Sequence, residues 1–149
     1  MQVDFYHLQT QTLEDVLPKL LEKAYASGKK TVVKVGTAER VEFLNTRLWT
    51  YDDTSFLPHG SKKDGNAEMQ PVWLTSGEDI PNGAAFLFLV DGAQTDAGSL
   101  NGIERIFNIF DGNSPDAVSR ARQFWKELKE QNHTLSYWQQ ENGRWIKKA

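Results

Sequence analysis

Two hydrophobic periods alternate along the first fifty residues, and this alternation constrains the fold more than any other feature. Val3 to Leu8 mixes polar and apolar residues in partial alternation and reads as a strand. From Thr12 the apolar residues Leu13, Val16, Leu17, Leu20, Leu21 and Ala24 recur at i, i+3, i+4 and i+7, the stripe of a helix with one buried face, and Gly28 ends it. Pro18 falls inside that stripe, so it either kinks the helix or opens it from its first turn. Lys30 to Val35 is a β-branched run and a second strand. Thr37 can cap a helix over Ala38 to Trp49, with Val41, Leu44 and Leu48 on its inner face and Trp49 as a further candidate for it. The order β-α-β-α predicts an α/β domain built on a mostly parallel sheet flanked by helices.

The remaining elements fit one such domain over residues 1–149, a length at which a single core can form. Pro71 to Thr75 and Ala84 to Val90 read as strands, the second apolar on both faces and therefore central. Ile103 to Phe110 is a further strand, and Ser114-Pro115 gives an N-cap and first helical position for a helix to about Gln131. Thr134 to Gln139 and Arg144 to Lys147 flank Glu141-Asn142-Gly143 and predict a closing hairpin. Thr50 to Gln70 reads as one long polar connection, and loops of that length usually serve a purpose.

Composition excludes several classes. The chain has no cysteine, which removes disulfide scaffolds, thiolate metal sites and cysteine nucleophiles. A net charge of -3 argues against a uniformly basic nucleic-acid coat. The longest apolar run, Ala84 to Val90, has strand length, and Met1 to His7 lacks the character of a signal peptide. The expected setting is the cytoplasm, with no membrane partner.

An α/β sheet invites a nucleotide, but the first strand-to-helix turn, Leu8 to Thr12, has no glycine to admit a phosphate. Gly28-Lys29 follows a helix and precedes a strand, the wrong context for a phosphate loop. His7, His59 and His133 are scattered without zinc-ligand spacing, and His59 after Pro58 reads as a surface or loop-bracing residue. Asp91 and Asp111, each before a glycine at a strand end, could hold a metal in a small nucleotide- or metal-dependent enzyme. Asp-Gly there is more often a plain turn. No catalytic residue, metal or cofactor is expected.

The charge distribution is more informative. From Ser114 onward seven basic residues face four acidic ones, a net +3, which leaves -6 for the rest of the chain. On the last helix Arg122 and Lys126 are spaced i, i+4, with Trp125 beside their row. Two cations beside an aromatic plate suit a peptide carrying a carboxylate and an apolar side chain, with Arg120 and Lys129 adding steering charge. The alternative is a solvated basic face with Trp125 packed inward. Trp49, Tyr51, Phe56 and Leu57 put four large apolar groups around the end of the second helix, as a satellite core or a docking patch. A competing reading is direct binding of single-stranded nucleic acid, with bases stacked on Trp138 or Trp145.

Leu48-Trp49 followed by Ser55-Phe56-Leu57-Pro58-His59 resembles the signature of the chi subunit of bacterial DNA polymerase III, a component of the clamp-loader assembly. The likeness continues through Asp4-Phe5-Tyr6, Ser27 to Lys30, Pro71-Val72-Trp73-Leu74 and Phe86 to Val90. It ends with Phe110-Asp111-Gly112, Ala121-Arg122, Trp125-Lys126 and Tyr137-Trp138. The resemblance implies a non-enzymatic adaptor with a Rossmann-like fold lacking the phosphate-binding glycine loop. It implies that Arg122, Trp125 and Lys126 bind the acidic C-terminal tail of single-stranded DNA-binding protein, with tryptophan where the family commonly has tyrosine. It also implies that Trp49 and Phe56 face the psi subunit, a surface for which an accessory helicase competes in some members. DNA would be reached only indirectly.

Overall fold

The computed structural model describes residues 1–52 and 57–149, the side chain of Ser99 aside. The chain runs β1 (Gln2–Leu8), α1 (Leu13–Ala26), β2 (Thr31–Val35), α2 (Ala38–Thr50), β3 (Gly60–Ser61), β4 (Val72–Thr75) and β5 (Phe86–Val90). It continues with β6 (Arg105–Asp111), α3 (Pro115–Glu130), β7 (Thr134–Glu141) and β8 (Arg144–Lys147). The strands form one sheet in the order β3-β4-β2-β5-β6-β1-β7-β8. Every pairing is parallel except β7 with β8. This is the three-layer α/β architecture that the alternating periods predict.

Strand pleating divides the core. Tyr6, Leu8, Val33, Val35, Phe88 and Val90 turn to one face, where the buried stripes of α1 and α2 cover them. Val3, Phe5, Val32, Leu87 and Leu89 turn to the other, under Ala121, Phe124, Trp125 and Leu128 of α3 and the segment around Ala97 and Ile103. Apolar burial on both faces explains why β5, between β2 and β6, reads as a continuous apolar run. A helix packed on each side also leaves the strands' carboxyl ends as the place where connections diverge.

The helix starts follow local chemistry. Asp15 accepts hydrogen bonds from the N–H and hydroxyl of Thr12 at the start of α1. Thr37 and Ser114 accept the Arg40 and Ala117 N–H groups at the starts of α2 and α3. Of the two roles open to Pro18, the structure excludes the opening one: α1 starts at Leu13 and runs through Pro18, which is buried. Its inward ring trades one backbone hydrogen bond for packing. The connection from Thr50 to Gln70 is not irregular throughout. It contains β3 and a 3-10 turn over Ala67–Met69. A two-residue strand is too short for periodicity to reveal. The closing hairpin turns on Asn142 (φ 51°) and Gly143 (φ 74°), both left-handed, as a tight turn between twisted strands requires. Among the described residues no helix is long and apolar enough to cross a membrane.

Candidate functional site

The carboxyl ends of β1, β5 and β6 border a crevice of about 800 Å³. Ligands of open α/β sheets usually bind at such a divergence, where β1 leads to α1 on one face and β6 to α3 on the other. Here the turn after β1 is closed from within. The backbone N–H groups of Gln9, Thr10 and Gln11 all point at Oε1 of Gln140, at 3.4, 3.3 and 3.1 Å. Gln140, on β7, is only 1% exposed, and its Nε2 donates to Oε1 of Gln11. A side-chain carbonyl thus occupies the place where a phosphate would meet a helix start.

The crevice's charges are also engaged. Nε of Arg40 donates to Asp91 at 2.8 Å and Nη2 to Glu14 at 2.5 Å. Asp91 first, then Glu14, raise the Arg40 pKa against its partial burial. Partial burial pushes the Glu14 carboxyl up, but the Arg40 hydrogen bond and charge outweigh it and hold the group below its usual range. Asp111 accepts the Asn113 N–H at 2.9 Å within its turn, whereas Asp91 is held by the ion pair with Arg40. Among the described residues no three His, Cys, Asp or Glu side chains are grouped to hold a metal.

The last helix presents a different surface. Ala121, Phe124, Trp125 and Leu128 form its inner stripe, and Arg122 and Lys126 stand exposed along the flank that Trp125 borders. Trp125 is partly buried, its ring edge-on to Phe5 (5.2 Å, 66°) and Tyr137 (5.9 Å, 74°). The two readings of Trp125 therefore merge, since it packs inward and still borders the basic row. Arg120 turns to the opposite flank, lining the crevice with Nη2 3.7 Å from where a Gly92 Cβ would lie. That leaves Lys129 as the neighbouring cation.

Beside Arg122 lie two residues that sequence reasoning missed. Nδ1 of His7 is 2.6 Å from the Tyr137 hydroxyl. Burial pushes the His7 ring below its usual pKa, Asp111 opposing and Arg122 reinforcing. Burial raises the Tyr137 phenol, with Arg122 opposing. Gly112 makes this packing possible, because a Cβ there would lie 2.0 Å from the His7 ring. The available signal was strand alternation: Phe5 and His7 share a face, and Phe5 registers with Tyr137.

Trp138 and Trp145 face the other way. Both pack against the core under α1, Trp145 edge-on to Tyr6 at 5.0 Å. The three C-terminal tryptophans thus belong to opposite faces of the sheet and cannot form one stacking platform.

At the end of α2, Trp49 is 49% exposed and its ring lies on that of His59, centroids 4.1 Å apart. His59 is 2% exposed, so it braces the loop from inside. Asn45 and Ser61 build the polar floor with Asp64, whose Oδ2 accepts Nδ2 of Asn45 at 2.7 Å and the Ser61 N–H at 3.0 Å. The Ser61 N–H, then Asn45 and the charge of His59, hold the Asp64 carboxyl low against its slight burial. Leu57 is buried with the core, while Phe56 and Ser55 lie outside the described residues.

Taken together, these features define a three-layer α/β domain whose first strand-to-helix turn is filled by its own glutamine. The exposed Trp49, Arg122 and Lys126 stand on helix surfaces outside the crevice. The family model described as DNA polymerase III chi subunit, HolC, matches residues 1–136, and the chain belongs to that family. A probable DNA polymerase III subunit chi of Rickettsia prowazekii (strain Madrid E) is 31% identical over 109 residues, covering 73% of this chain and 65% of the relative. The match thus spans slightly less than two thirds of that relative's length.

Proposed function

We propose that this chain is a non-enzymatic accessory subunit of DNA polymerase III acting in cytoplasmic DNA replication. It tethers the clamp-loader assembly to the acidic C-terminal tail of single-stranded DNA-binding protein and to a psi-type subunit. The observation that carries the first contact is the arrangement on α3: exposed Arg122 and Lys126 beside a Trp125 ring held edge-on by Phe5 and Tyr137. A cation at Arg122 or Lys126 pairs with the tail's terminal carboxylate while Trp125 borders the pocket for its apolar end. Trp49, with Phe56, supplies the apolar anchor for psi, and an accessory helicase is the competing occupant of that face. DNA is reached through these proteins. A short-peptide contact of this kind is weak, on the order of micromolar, and gains from many tails displayed along one DNA strand.

Titration of a tail peptide against the wild-type chain and Lys126→Glu tests the reading. The reversal should weaken binding about tenfold, and equal affinities would remove the tail assignment. Binding of a bare oligonucleotide with the same affinity as the peptide would favour the nucleic-acid alternative instead.

A further inference from the structure

We propose that the crevice at the carboxyl ends of β1, β5 and β6 is a small-molecule site, built for a planar heterocycle that carries one anionic group. This goes beyond the adaptor reading and uses none of its contact residues. The central observation is Asn108. β6 lies between β5 and β1 in the middle of the sheet, and of its residues facing α3, Ile106 and Phe110 are buried. Asn108, between them, stays partly exposed because it opens into the crevice. Among the described residues its amide has no hydrogen-bond partner. A polar side chain in mid-sheet normally finds one, so this amide is available to a ligand.

The walls suit a flat body. Leu89 of β5 registers with Asn108 and extends the floor. On α3 the residues toward the crevice include Ala117 and Ala121, too short to close the gap, and then Phe124, whose ring is partly buried. Asn108 lies three residues below the strand end at Asp111, a depth of about 10 Å. With a volume of about 800 Å³, that depth suits a compact organic molecule rather than a helix or a folded surface. At the mouth stands Arg120, with Nη2 3.7 Å from where a Gly92 Cβ would lie. The other groups there are engaged: Glu14 and Asp91 hold Arg40, Asp111 accepts the Asn113 N–H, and Glu127 accepts the Gln123 amide at 3.1 Å. Arg120 has no carboxylate partner among the described residues. It is therefore the cation left for a ligand's anion, since Gln140 closes the start of α1. A heterocycle packed on Phe124 sets its donor–acceptor edge against Asn108, as a carboxamide pairs with the edge of adenine. Its phosphate or carboxylate then points at Arg120.

The test is an NMR titration of the isotope-labelled chain with adenosine monophosphate and with orotate, two heterocycles that differ in their anionic group. Saturable shifts should appear at the Asn108 side-chain amide and the Gly92 N–H at ligand concentrations below about 1 mM. Whichever probe binds more tightly identifies the anionic group as phosphate or carboxylate. Adenosine, which lacks the charge, should bind about tenfold more weakly than its monophosphate, and inorganic phosphate should leave the Asn108 amide unmoved. Arg120→Ala, a surface change, should weaken the charged probes about tenfold and leave adenosine within about twofold. Asn108→Leu replaces the amide by an apolar group of similar size and should weaken all three heterocycles about tenfold. Absence of saturable shifts up to about 10 mM of every probe overturns the inference. So does binding that survives both substitutions, or that maps to Arg122 and Lys126 instead. Where Asn108→Leu does not fold, the wild-type and Arg120→Ala titrations decide.

Discussion

The flank of α3 and the end of α2 both expose a tryptophan beside charged or polar groups, yet they are built in opposite ways. On α3 the aromatic ring is the fixed part. Trp125 is wedged between Phe5 and Tyr137, and the exposed groups are the cations Arg122 and Lys126. At the end of α2 the polar groups are the fixed part. His59, Asn45 and Ser61 are buried and hydrogen-bonded, and they hold up a half-exposed Trp49. The first surface offers charge on an apolar seat and suits an acidic peptide. The second offers an apolar plate on a polar seat and suits burial against a folded partner. The two should respond differently to salt, charge and truncation.

The largest contrast should come from Trp49→Ala. Loss of a central aromatic anchor typically costs about 2–4 kcal/mol, so psi binding measured by calorimetry should fall by at least about thirtyfold. Tail-peptide affinity should stay within about twofold, because additivity holds for distant sites. A parallel loss of both would collapse the distinction. Next in size, Arg122→Glu, like Lys126→Glu, should weaken the tail peptide about tenfold and leave psi binding alone. A third change tests the scaffold between them. Gln140→Ala strips the shared acceptor from the Gln9, Thr10 and Gln11 amides and should lower unfolding stability by about 1–3 kcal/mol in denaturant titration, with little effect on either contact. An unchanged midpoint would mean that water replaces the side chain at no cost.

Salt gives a smaller, sharper comparison. Raising ionic strength from about 0.05 to 0.3 M should weaken the tail contact severalfold and the Trp49 contact hardly at all, since screening acts on exposed charges. Equal slopes would argue that both contacts are ionic. The smallest effect concerns His7, whose pKa burial lowers on folding. The unfolded chain takes up that proton more readily, so stability is complete above about pH 6.5 and declines as pH falls below it, before carboxylates such as Glu14 begin to titrate. Thermal melts should show this acid-side decline weakened in His7→Phe. A melting profile identical to wild type would remove His7 from the α3 flank's electrostatics.

Much of this arrangement can be read from neighbours along the chain. The stripe from Leu13 to Ala24, the Thr37 and Ser114 caps and the Asn142-Gly143 turn are local statements, because helical and strand periods repeat within a few residues. The i, i+4 pair of Arg122 and Lys126 is likewise helical arithmetic, and the run from Leu48 to His59 carried the family resemblance. Residues that act across the sheet were not legible. Arg120 reads as a neighbour of Arg122 in sequence, but the helix's rotation sends it to the crevice. Trp125, Trp138 and Trp145 lie close together near the end of the chain, but pleating puts Trp125 on one face of the sheet and the other two on the opposite face.

The sequence by itself determined the class of fold and the absence of a glycine-lined phosphate turn. Both depend on which residue types stand next to one another. Only the tertiary structure decided what fills that turn, what seats Trp125 and what supports Trp49. Gln140 meets Gln11, and His7 meets Tyr137, only because β7 returns to pair with β1 after about 130 residues, the two contacts spanning 129 and 130 positions. His59 meets Asn45 across a loop rather than along a period. Contacts of that kind are fixed by strand order and by the requirement that buried polar groups find partners, and neither is written in local spacing.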